Sequence, residues 1–350
     1  MDYLAERWDR LASIPRTSLV SAPTPVERLQ GLSDRLGAEL WVKRDDLTNA
    51  RYGGNKIRKL EYLLGDAEAK QADTLITAGA LGSHHVLATS LHGAARGLGV
   101  HACLVAQPWH AHVEQILRAD LAAGAHLNRV RSYPGVPIAL LEKELELRLA
   151  GHRPYRVAIG GSSPLGTVGY VQAGLELAAQ VQAGALEEPE AIYCALGSGG
   201  TAAGLAIGIA AAGMETRIEA VRVTAPILAN RLTLNTLIRR TVALLRREDR
   251  RFPRVSRLAI AALQIRKDQL GRGYGHPTES GERASRSAAE EGLMLDPTYT
   301  AKAFGALLKD AEGHRRGRPL LYVHTLSAAP MHPLLAGAPE IPSWARALAR

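Results

Sequence analysis

Short apolar runs alternate along the chain with segments in which apolar residues recur every three or four positions. The runs predict buried strands, and the periodic segments predict helices. Strands are predicted at 40–42, 74–78, 100–105, 156–159, 191–196, 217–223 and 320–324. Helices are predicted to begin near 57 and to cover 86–96, 113–123, 167–181 and 201–212. Because strands separated by helices of this length form right-handed βαβ crossovers, the pattern predicts an α/β fold with mostly parallel sheets.

The composition fits two globular domains. The chain has 350 residues, of which 46% are hydrophobic, and one domain takes roughly 150 residues. Gly160-Gly161-Ser162-Ser163-Pro164 is the best candidate for a crossing between domains. This composition excludes a disordered chain and a collagen-like chain, and the 2 Cys exclude a disulfide scaffold.

The chain is basic, with 43 Lys and Arg against 34 Asp and Glu and a formal net charge of +9. Arginines cluster at 239–254 and again at 315–318, but aromatic residues make up only 5% of the chain. Since few rings are present to stack on bases, we interpret both clusters as solvated surface and expect no nucleic-acid partner. Salt-sensitive binding to nucleic acid is the alternative that rests on the arginines alone.

The location of the protein is inferred from its cysteines and its apolar stretches. Cys103 and Cys194 lie far apart in apolar runs, which indicates buried free thiols in a reducing compartment. The uncharged stretch 191–214 is interrupted by glycines and fits a strand, a turn and a helix better than a membrane span. The charged N-terminus lacks the apolar core of a signal peptide. We therefore expect a cytoplasmic protein with no membrane association.

A glycine-rich turn follows the strand predicted at 191–196. Its residues are Gly197, Ser198, Gly199, Gly200 and Thr201. Glycines let backbone N–H groups approach an anion, and the helix that follows directs its positive N-terminus to the same place. The turn lacks the lysine of a P-loop and the acidic residue of a dinucleotide fingerprint. We interpret it as a phosphate cradle, and a plain turn is the alternative.

A lysine opens the helix that begins near residue 57. Gly53 and Gly54 precede Asn55 and Lys56, which places Lys56 at a helix N-terminus. The positive potential there and the surrounding protein lower the pKa of the amine and favour the neutral form that attacks an aldehyde. Without the two glycines, a surface charge would be the better interpretation of Lys56.

A third strand-to-helix turn contains Ser83, His84 and His85. Ser83 is a natural N-cap, and the free N–H groups of the first helical turn can hold a carboxylate. Adjacent histidines on a helix point apart, so we expect no metal site. A phosphate cradle and an activated lysine in one α/β chain together suggest pyridoxal phosphate.

Four segments resemble the D-cysteine desulfhydrase and 1-aminocyclopropane-1-carboxylate deaminase family. They are 42–47 (VKRDDL), 53–61 (GGNKIRKLE), 273–275 (GYG) and 295–303 (LDPTYTAKA). The likeness also includes Ser83 and the cradle and runs from about Pro23 to about Pro333. The resemblance implies a fold-type II, tryptophan synthase β-like enzyme that binds pyridoxal 5'-phosphate. Such a chain has two three-layer αβα domains with mostly parallel twisted sheets.

The resemblance assigns a role to each candidate residue. Lys56 is implied as the lysine that forms the Schiff base and removes the α-proton. Asn55, Thr325 and the cradle at 197–201 are implied as cofactor contacts. Ser83 is implied as catalytic and as the binder of the substrate carboxylate, with its neighbours His84 and His85 in the substrate pocket. Tyr274 and Tyr299 match the two active-site tyrosines of the family, which contact substrate and steer a proton or a leaving group.

Two threonines indicate the branch of the family. Deaminases of the cyclopropane amino acid carry Glu after the second tyrosine and Leu after the late-strand histidine. This sequence has Thr300 and Thr325 at those places, which is the desulfhydrase pattern. We therefore expect α,β-elimination from a small amino acid with a β leaving group, such as D-cysteine, to pyruvate and ammonia.

The chain departs from the family beside the cofactor. His84 replaces an asparagine, Gly82 stands where the family often has glutamine, and Leu326 and Ser327 replace two glycines. These changes leave several alternatives open. The substrate could be L-cysteate or another β-substituted amino acid, and the outcome could be β-replacement, racemisation or cyclopropane amino acid deamination. A weakly active paralogue and a non-catalytic homologue that binds a partner are the remaining alternatives.

The resemblance also implies an organisation for the whole chain. The smaller domain is expected at 50–165, with Lys56 and the Ser83 loop. The larger, cofactor-binding domain is expected to comprise 1–49 together with 166–350. Family members are commonly homodimers, and cyclic dimers are the commonest oligomers, so a homodimer is expected.

Overall fold

The computed structural model describes residues 2–349 and separates them into two compact units. The larger unit comprises residues 2–14, 18–62 and 162–328, and the smaller comprises residues 15–17, 63–161 and 329–349. This separation differs from the expected domain division, because residues 50–62 belong to the larger unit. Their contacts give the reason, since Asn55 N donates to the carbonyl of Thr325 and Arg58 pairs with Asp45. The division at residues 50 and 165 stays a prediction.

The larger unit is built on a six-stranded sheet in the order β1-β2-β10-β7-β8-β9. Its strands are β1 Val26–Arg28, β2 Leu40–Lys43, β7 Ala191–Leu196, β8 Arg217–Arg222, β9 Leu263–Arg266 and β10 Leu320–Val323. All neighbouring pairs are parallel except β1 with β2.

The smaller unit is built on a four-stranded sheet in the order β5-β4-β3-β6, and all of its pairs are parallel. Its strands are β3 Thr74–Ala80, β4 Gly99–Val105, β5 His126–Arg129 and β6 Pro154–Arg156. The two sheets confirm the predicted α/β class with mostly parallel strands.

Helices connect nearly all of the strands. The first seven are α1 Tyr3–Arg7, α2 Gln30–Leu36, α3 Asn55–Ala69, α4 His84–Ala94, α5 Ala111–Ala122, α6 Val136–Leu149 and α7 Pro164–Gln182. The others are α8 Gly200–Ala212, α9 Arg231–Glu248, α10 Ser256–Ala262, α11 Glu279–Glu290, α12 Thr300–Glu312 and α13 Ser343–Leu348. Every predicted helix is present.

Apolar side chains cover both faces of the six-stranded sheet. Ile192 and Cys194 of β7 belong to one cluster, with α7, α8, α9 and α10. Tyr193 of the same strand belongs to the other cluster, with α2, α11 and α12. Because successive side chains of a strand point to opposite faces, the larger unit has three layers.

The structure differs from the predictions in several places. The strand predicted at 156–159 lies at Pro154–Arg156, because the chain leaves the sheet there and turns through Gly160 and Gly161 with positive φ. Helices α9 and α11 were not predicted, since their exposed faces are largely charged. Arg315 is not solvated surface. It is 4% exposed and pairs with Glu219 and Asp310.

Two kinds of feature are absent from residues 2–349. Within that range, no helix is long and apolar enough to cross a membrane. In the same range, no group of three or more His, Cys, Asp and Glu side chains is arranged to hold a metal ion.

A buried carboxyl group lies between α4 and α5 of the smaller unit. The side chain of Asp120 is inaccessible to solvent, and Ser90 Oγ donates to its Oδ1 over 2.8 Å. Its Oδ2 has no hydrogen-bond partner among the described residues. Burial raises the pKa of Asp120 to about 8, although the Ser90 hydrogen bond opposes the rise. Asp120 is therefore largely protonated at neutral pH.

We predict that replacing this carboxyl group by an amide changes how stability depends on pH. The unfolded carboxyl ionises near pH 4, whereas the folded one stays protonated up to about pH 8. Between these values the unfolded state binds fewer protons, so the stability of the wild type falls by at most about 1.4 kcal/mol per pH unit from this group. In Asp120→Asn this decrease of stability with rising pH is absent. Melting temperatures should diverge in favour of the variant from pH 5 to pH 8.

The exposed carboxylate of Asp34 provides the matched control. Its side chain is 62% exposed, so Asp34→Asn should melt in parallel with the wild type at every pH. A constant difference in melting temperature between Asp120→Asn and the wild type across this pH range would contradict a raised pKa of Asp120.

Candidate active site

A buried cluster of four charged side chains fixes the beginning of α3. Arg58 donates to both oxygens of Asp45 over 2.8 and 3.0 Å, and to both oxygens of Glu176 over 2.9 Å each. Lys43 Nζ, at the end of β2, also donates to Glu176. All four side chains are at most 3% exposed. The cluster balances two positive charges against two negative ones and ties β2, α3 and α7 together.

Neutral groups satisfy the remaining hydrogen bonds of the cluster. Tyr170 donates its hydroxyl to Asp45 over 2.6 Å, and Thr24 donates its hydroxyl to Asp45 over 2.9 Å. Burial raises the pKa of Glu176, but Arg58 and Lys43 offset burial and lower it to about 2. Buried ion pairs need such complete bonding to offset the cost of desolvation. Glu176 is therefore ionised at neutral pH, as the ion pairs require.

Lys56 lies on the first turn of α3, two residues before Arg58. Its Nζ donates to Asn55 Oδ1 over 2.9 Å, and Asn55 Nδ2 donates to Thr201 Oγ1 over 2.9 Å. Asn55 therefore links the lysine to the glycine-rich turn. Burial lowers the pKa of Lys56 to about 8, although Asp296 opposes the shift. At pH 7 about one molecule in ten carries the neutral, nucleophilic amine.

The predicted cradle lies between β7 and α8. Gly200 opens α8, and its N–H donates to Ser162 Oγ over 3.0 Å. A Cβ at Gly200 would lie 2.6 Å from Ser162 Oγ and 3.0 Å from Lys59 Nζ. The side chain of any other residue at position 200 would therefore fill the space next to Ser162 Oγ and Lys59 Nζ. Ser198 Oγ lies 2.7 Å from Ser162 Oγ.

Lys59 adds a second buried amine beside the cradle. It lies one turn after Lys56 and is 1% exposed, and its Nζ is 3.3 Å from Ser162 Oγ. Burial, together with Lys56, lowers the pKa of Lys59 well below its usual range. Two lysines and the N-terminus of α8 concentrate positive potential at one place.

The chain after β10 borders the start of α3. Thr325 accepts the backbone N–H of Asn55 through its carbonyl over 3.2 Å. Ser327, which stands where the family has glycine, accepts the N–H of Gly53 through Oγ over 2.8 Å. The serine therefore adds a hydrogen bond to the turn that leads into Lys56.

The two tyrosines of the candidate site are in direct contact. The hydroxyl oxygens of Tyr274 and Tyr299 are 2.5 Å apart, and the rings meet edge to face. Asp296 shapes the turn of Tyr299 by accepting the N–H groups of Thr298, Tyr299 and Thr300. The Thr300 hydroxyl donates to Asp296 Oδ2 over 2.6 Å. A Cβ at Gly197 would lie 3.5 Å from the Tyr299 ring, so this tyrosine borders the cradle.

The remaining candidates lie in the smaller unit. Ser83 caps α4, and its Oγ accepts the N–H of Val86 over 3.4 Å. His84 Nε2 lies 3.0 Å from His112 Nε2. His85 is buried, and its Nε2 bonds to Thr77 Oγ1 over 2.9 Å. The N-cap predicted at Ser83 is confirmed, whereas the roles of these three residues toward substrate stay predictions.

The residues around the cradle fit pyridoxal phosphate. Backbone N–H groups at the N-terminus of α8, the hydroxyls of Ser198 and Thr201, and the Lys59 amine are the donors that a phosphate requires. Lys56 is the adjacent amine with a lowered pKa. The larger unit therefore brings together the cofactor residues predicted from the sequence and both tyrosines. No role had been predicted from the sequence for Lys59, Ser162 or Asp296.

Comparison with known proteins agrees with these features. The sequence model of the family described as "Pyridoxal-phosphate dependent enzyme" matches residues 17–325. A D-cysteine desulfhydrase of Klebsiella pneumoniae (strain 342) is 36% identical over 325 residues, which cover 90% of this chain and 94% of the relative. The D-cysteine desulfhydrase of Serratia proteamaculans (strain 568) is 37% identical over 331 residues, with the same coverage of both chains.

Solved structures show the same fold. A crystal structure of an ACC deaminase homologue superposes with a TM-score of 0.77 at 31% identity and covers 92% of this chain and 94% of that one. The processed form of threonine deaminase isoform 2 from Solanum lycopersicum gives 0.63 at 18% identity, covering 95% and 88%. The expected fold-type II architecture is thus confirmed.

We predict that Arg58→Met destabilises the protein by about 3–5 kcal/mol, because Asp45 and Glu176 then stay buried without their shared partner. The melting temperature should fall by several degrees. Adding Glu176→Gln should recover part of the loss, since one of the uncompensated charges disappears. Arg51→Met, at an exposed position of the same segment, is the matched control. An unchanged melting temperature in Arg58→Met would show that the cluster does not stabilise the fold.

Proposed function

The chain belongs to the pyridoxal-phosphate dependent enzyme family, and from that premise we propose that it is a D-cysteine desulfhydrase. D-cysteine and water would give pyruvate, ammonia and hydrogen sulfide. The observation that carries the proposal is the Lys56 amine, with its lowered pKa, beside a phosphate cradle and a tyrosine pair. Curated relatives described as D-cysteine desulfhydrases support the substrate.

Pyridoxal phosphate, when bound, supplies the electron sink that stabilises negative charge at the substrate Cα. We propose that the N–H groups at 197–201 would hold the phosphate, with the Lys59 amine as a further hydrogen-bond donor. Asn55 holds the Lys56 amine on one side and Thr201 on the other. Thr325 fixes the backbone at Asn55 through its carbonyl. These residues restrain Lys56 before any substrate arrives.

The proton transfers are assigned to Lys56 and the tyrosines. Lys56 accepts the proton from the substrate Cα, because its pKa of about 8 suits a base at neutral pH. The Tyr274 and Tyr299 hydroxyls share a hydrogen bond, so one of them can donate a proton to the departing sulfur. Ser83 and the first turn of α4 would bind the substrate carboxylate. His84 and His85 would border the substrate.

Pyruvate formation tests this proposal. The holoprotein is given D-cysteine, L-cysteine, D-serine and L-cysteate separately, and pyruvate is measured with lactate dehydrogenase. D-cysteine should give the highest kcat/KM. Lys56→Ala should lower kcat by about 10²- to 10⁴-fold, because the base is lost. Lys70→Ala, whose side chain is 63% exposed, is the matched control and should keep wild-type activity.

The other possible outcomes of the pyruvate assay lead to different conclusions. Pyruvate from another member of the panel but not from D-cysteine would reassign the substrate and implicate His84. Bound cofactor without pyruvate from any of the four would overturn the desulfhydrase proposal.

We also propose that the protein is a cytoplasmic homodimer that binds no nucleic acid. The free buried thiols of Cys103 and Cys194 fit a reducing compartment. Exposed apolar side chains support association, since Ile227 is 81% and Leu232 76% exposed in the larger unit.

Sedimentation velocity tests the dimer. The wild type should sediment with the mass of two chains, and Leu232→Glu should shift the population toward single chains. Leu149→Glu, which changes a side chain 90% exposed in the smaller unit, is the control. A wild type that sediments as one chain at micromolar concentration would contradict the homodimer.

A further inference from the structure

A buried lysine of α12 donates hydrogen bonds to the loop that carries Tyr274. Lys302 is inaccessible to solvent, and its Nζ donates to the carbonyls of Leu270 and Gly273 over 2.9 Å each. Gly273 immediately precedes Tyr274. An ammonium group makes strong, charge-assisted hydrogen bonds to carbonyl oxygens, and burial protects them from competition with water.

The loop that carries Tyr274 contains a glycine turn just before the tyrosine. It runs from the end of β9 at Arg266 to the start of α11 at Glu279. Gly271 and Gly273 adopt φ of 58° and 116°, and Gly271 is exposed. The N–H of Gly273 donates to the carbonyl of Leu270 over 3.1 Å, so the same carbonyl serves the turn and Lys302. A glycine turn of this kind has many accessible conformations unless side chains fix it.

Helix α12 therefore holds the loop at two points. Tyr299, at its N-cap, contacts the Tyr274 hydroxyl, and Lys302, one turn later, holds the backbone just before Tyr274. Burial lowers the pKa of Lys302, and the Asp296 carboxylate, which shapes the same N-terminus, opposes that shift. A single short segment thus determines both the position of the Tyr274 backbone and the position of its hydroxyl.

We propose that Lys302 is a positioning residue for Tyr274. It has no assigned contact with substrate or cofactor, and it acts by holding the 270–273 turn so that the Tyr274 hydroxyl meets Tyr299. The inference rests on the role proposed above for Tyr274 in elimination. Misplacement of a catalytic group by about 1 Å can lower the rate about 10²-fold. Loss of the Lys302 hydrogen bonds should therefore have a measurable effect on kcat.

The test uses Lys302→Met in the holoprotein, because methionine keeps most of the side-chain length and removes the donors. Hydrogen–deuterium exchange should accelerate at least about tenfold in peptides covering 268–276 and stay unchanged in peptides from β7 and α8. The kcat for D-cysteine should fall about 10- to 100-fold, with the cofactor absorbance retained. Unchanged exchange in 268–276 would overturn the inference.

A double-mutant comparison separates positioning from general destabilisation. In a Tyr274→Phe background, Lys302→Met should change kcat by less than about twofold, because the group that it positions is already gone. Additive losses of kcat in the double variant would show that Lys302 acts independently of Tyr274 and would overturn the inference.

Two further variants complete the design. Lys302→Gln keeps two N–H donors but lacks the charge, so it should recover most of the exchange protection and of kcat. If the methionine variant does not fold, the remaining loss of protection in Lys302→Gln, confined to 268–276, is the readout, and its absence would overturn the inference. Lys309→Met is the matched control, since this lysine of α12 pairs with Asp268 of the same loop but is 57% exposed. It should leave kcat unchanged.

The results distinguish this inference from the proposed function. If the wild type makes no pyruvate from D-cysteine, the proposed function fails, whereas the exchange of 268–276 still decides whether Lys302 holds the loop. If the wild type eliminates D-cysteine and Lys302→Met matches it in kcat and in exchange, the positioning role alone fails.

Discussion

The buried pairing of Arg58 with Asp45 and Glu176 is the interaction on which the candidate site depends. Arg58 lies two residues after Lys56, so the same hydrogen bonds that offset two buried carboxylates also fix the first turn of α3. Lys43 completes the charge balance from β2. An ion cluster of this kind contributes little net stability compared with an apolar core, but it defines a unique position for the helix that carries it.

That position determines the electrostatics of the site. Lys56 faces Asn55 and, through it, the turn at 197–201, while Lys59 faces the N-terminus of α8. Burial, together with Lys56, lowers the pKa of Lys59, and the donors gathered here form a place that attracts an anionic group. Desolvation makes Lys56 a usable base near neutral pH, and the phosphate cradle beside it explains why a phosphorylated aldehyde fits there.

Local sequence signals predicted the centre of this site, and long-range contacts account for what they missed. Gly53–Lys56 and Gly197–Thr201 were recognised because the structure of a glycine-rich turn between a strand and a helix can be predicted from a few consecutive residues. Lys59, Ser162 and Lys302 were not assigned roles, since their partners lie more than 25 residues away. Arg315 was misinterpreted because a run of arginines does not reveal the carboxylates that pair with it, of which Glu219 and Asp310 are buried and Glu190 is half-buried.

The attachment of pyridoxal phosphate to Lys56 can be measured directly. The holoprotein is reduced with borohydride, which makes the bond between the cofactor and its lysine permanent, and proteolytic peptides are then analysed by mass spectrometry. We predict one modified lysine, Lys56, with Lys43 and Lys59 unmodified. A cofactor attached to Lys59 or to any other lysine, or no attached cofactor at all, would contradict it.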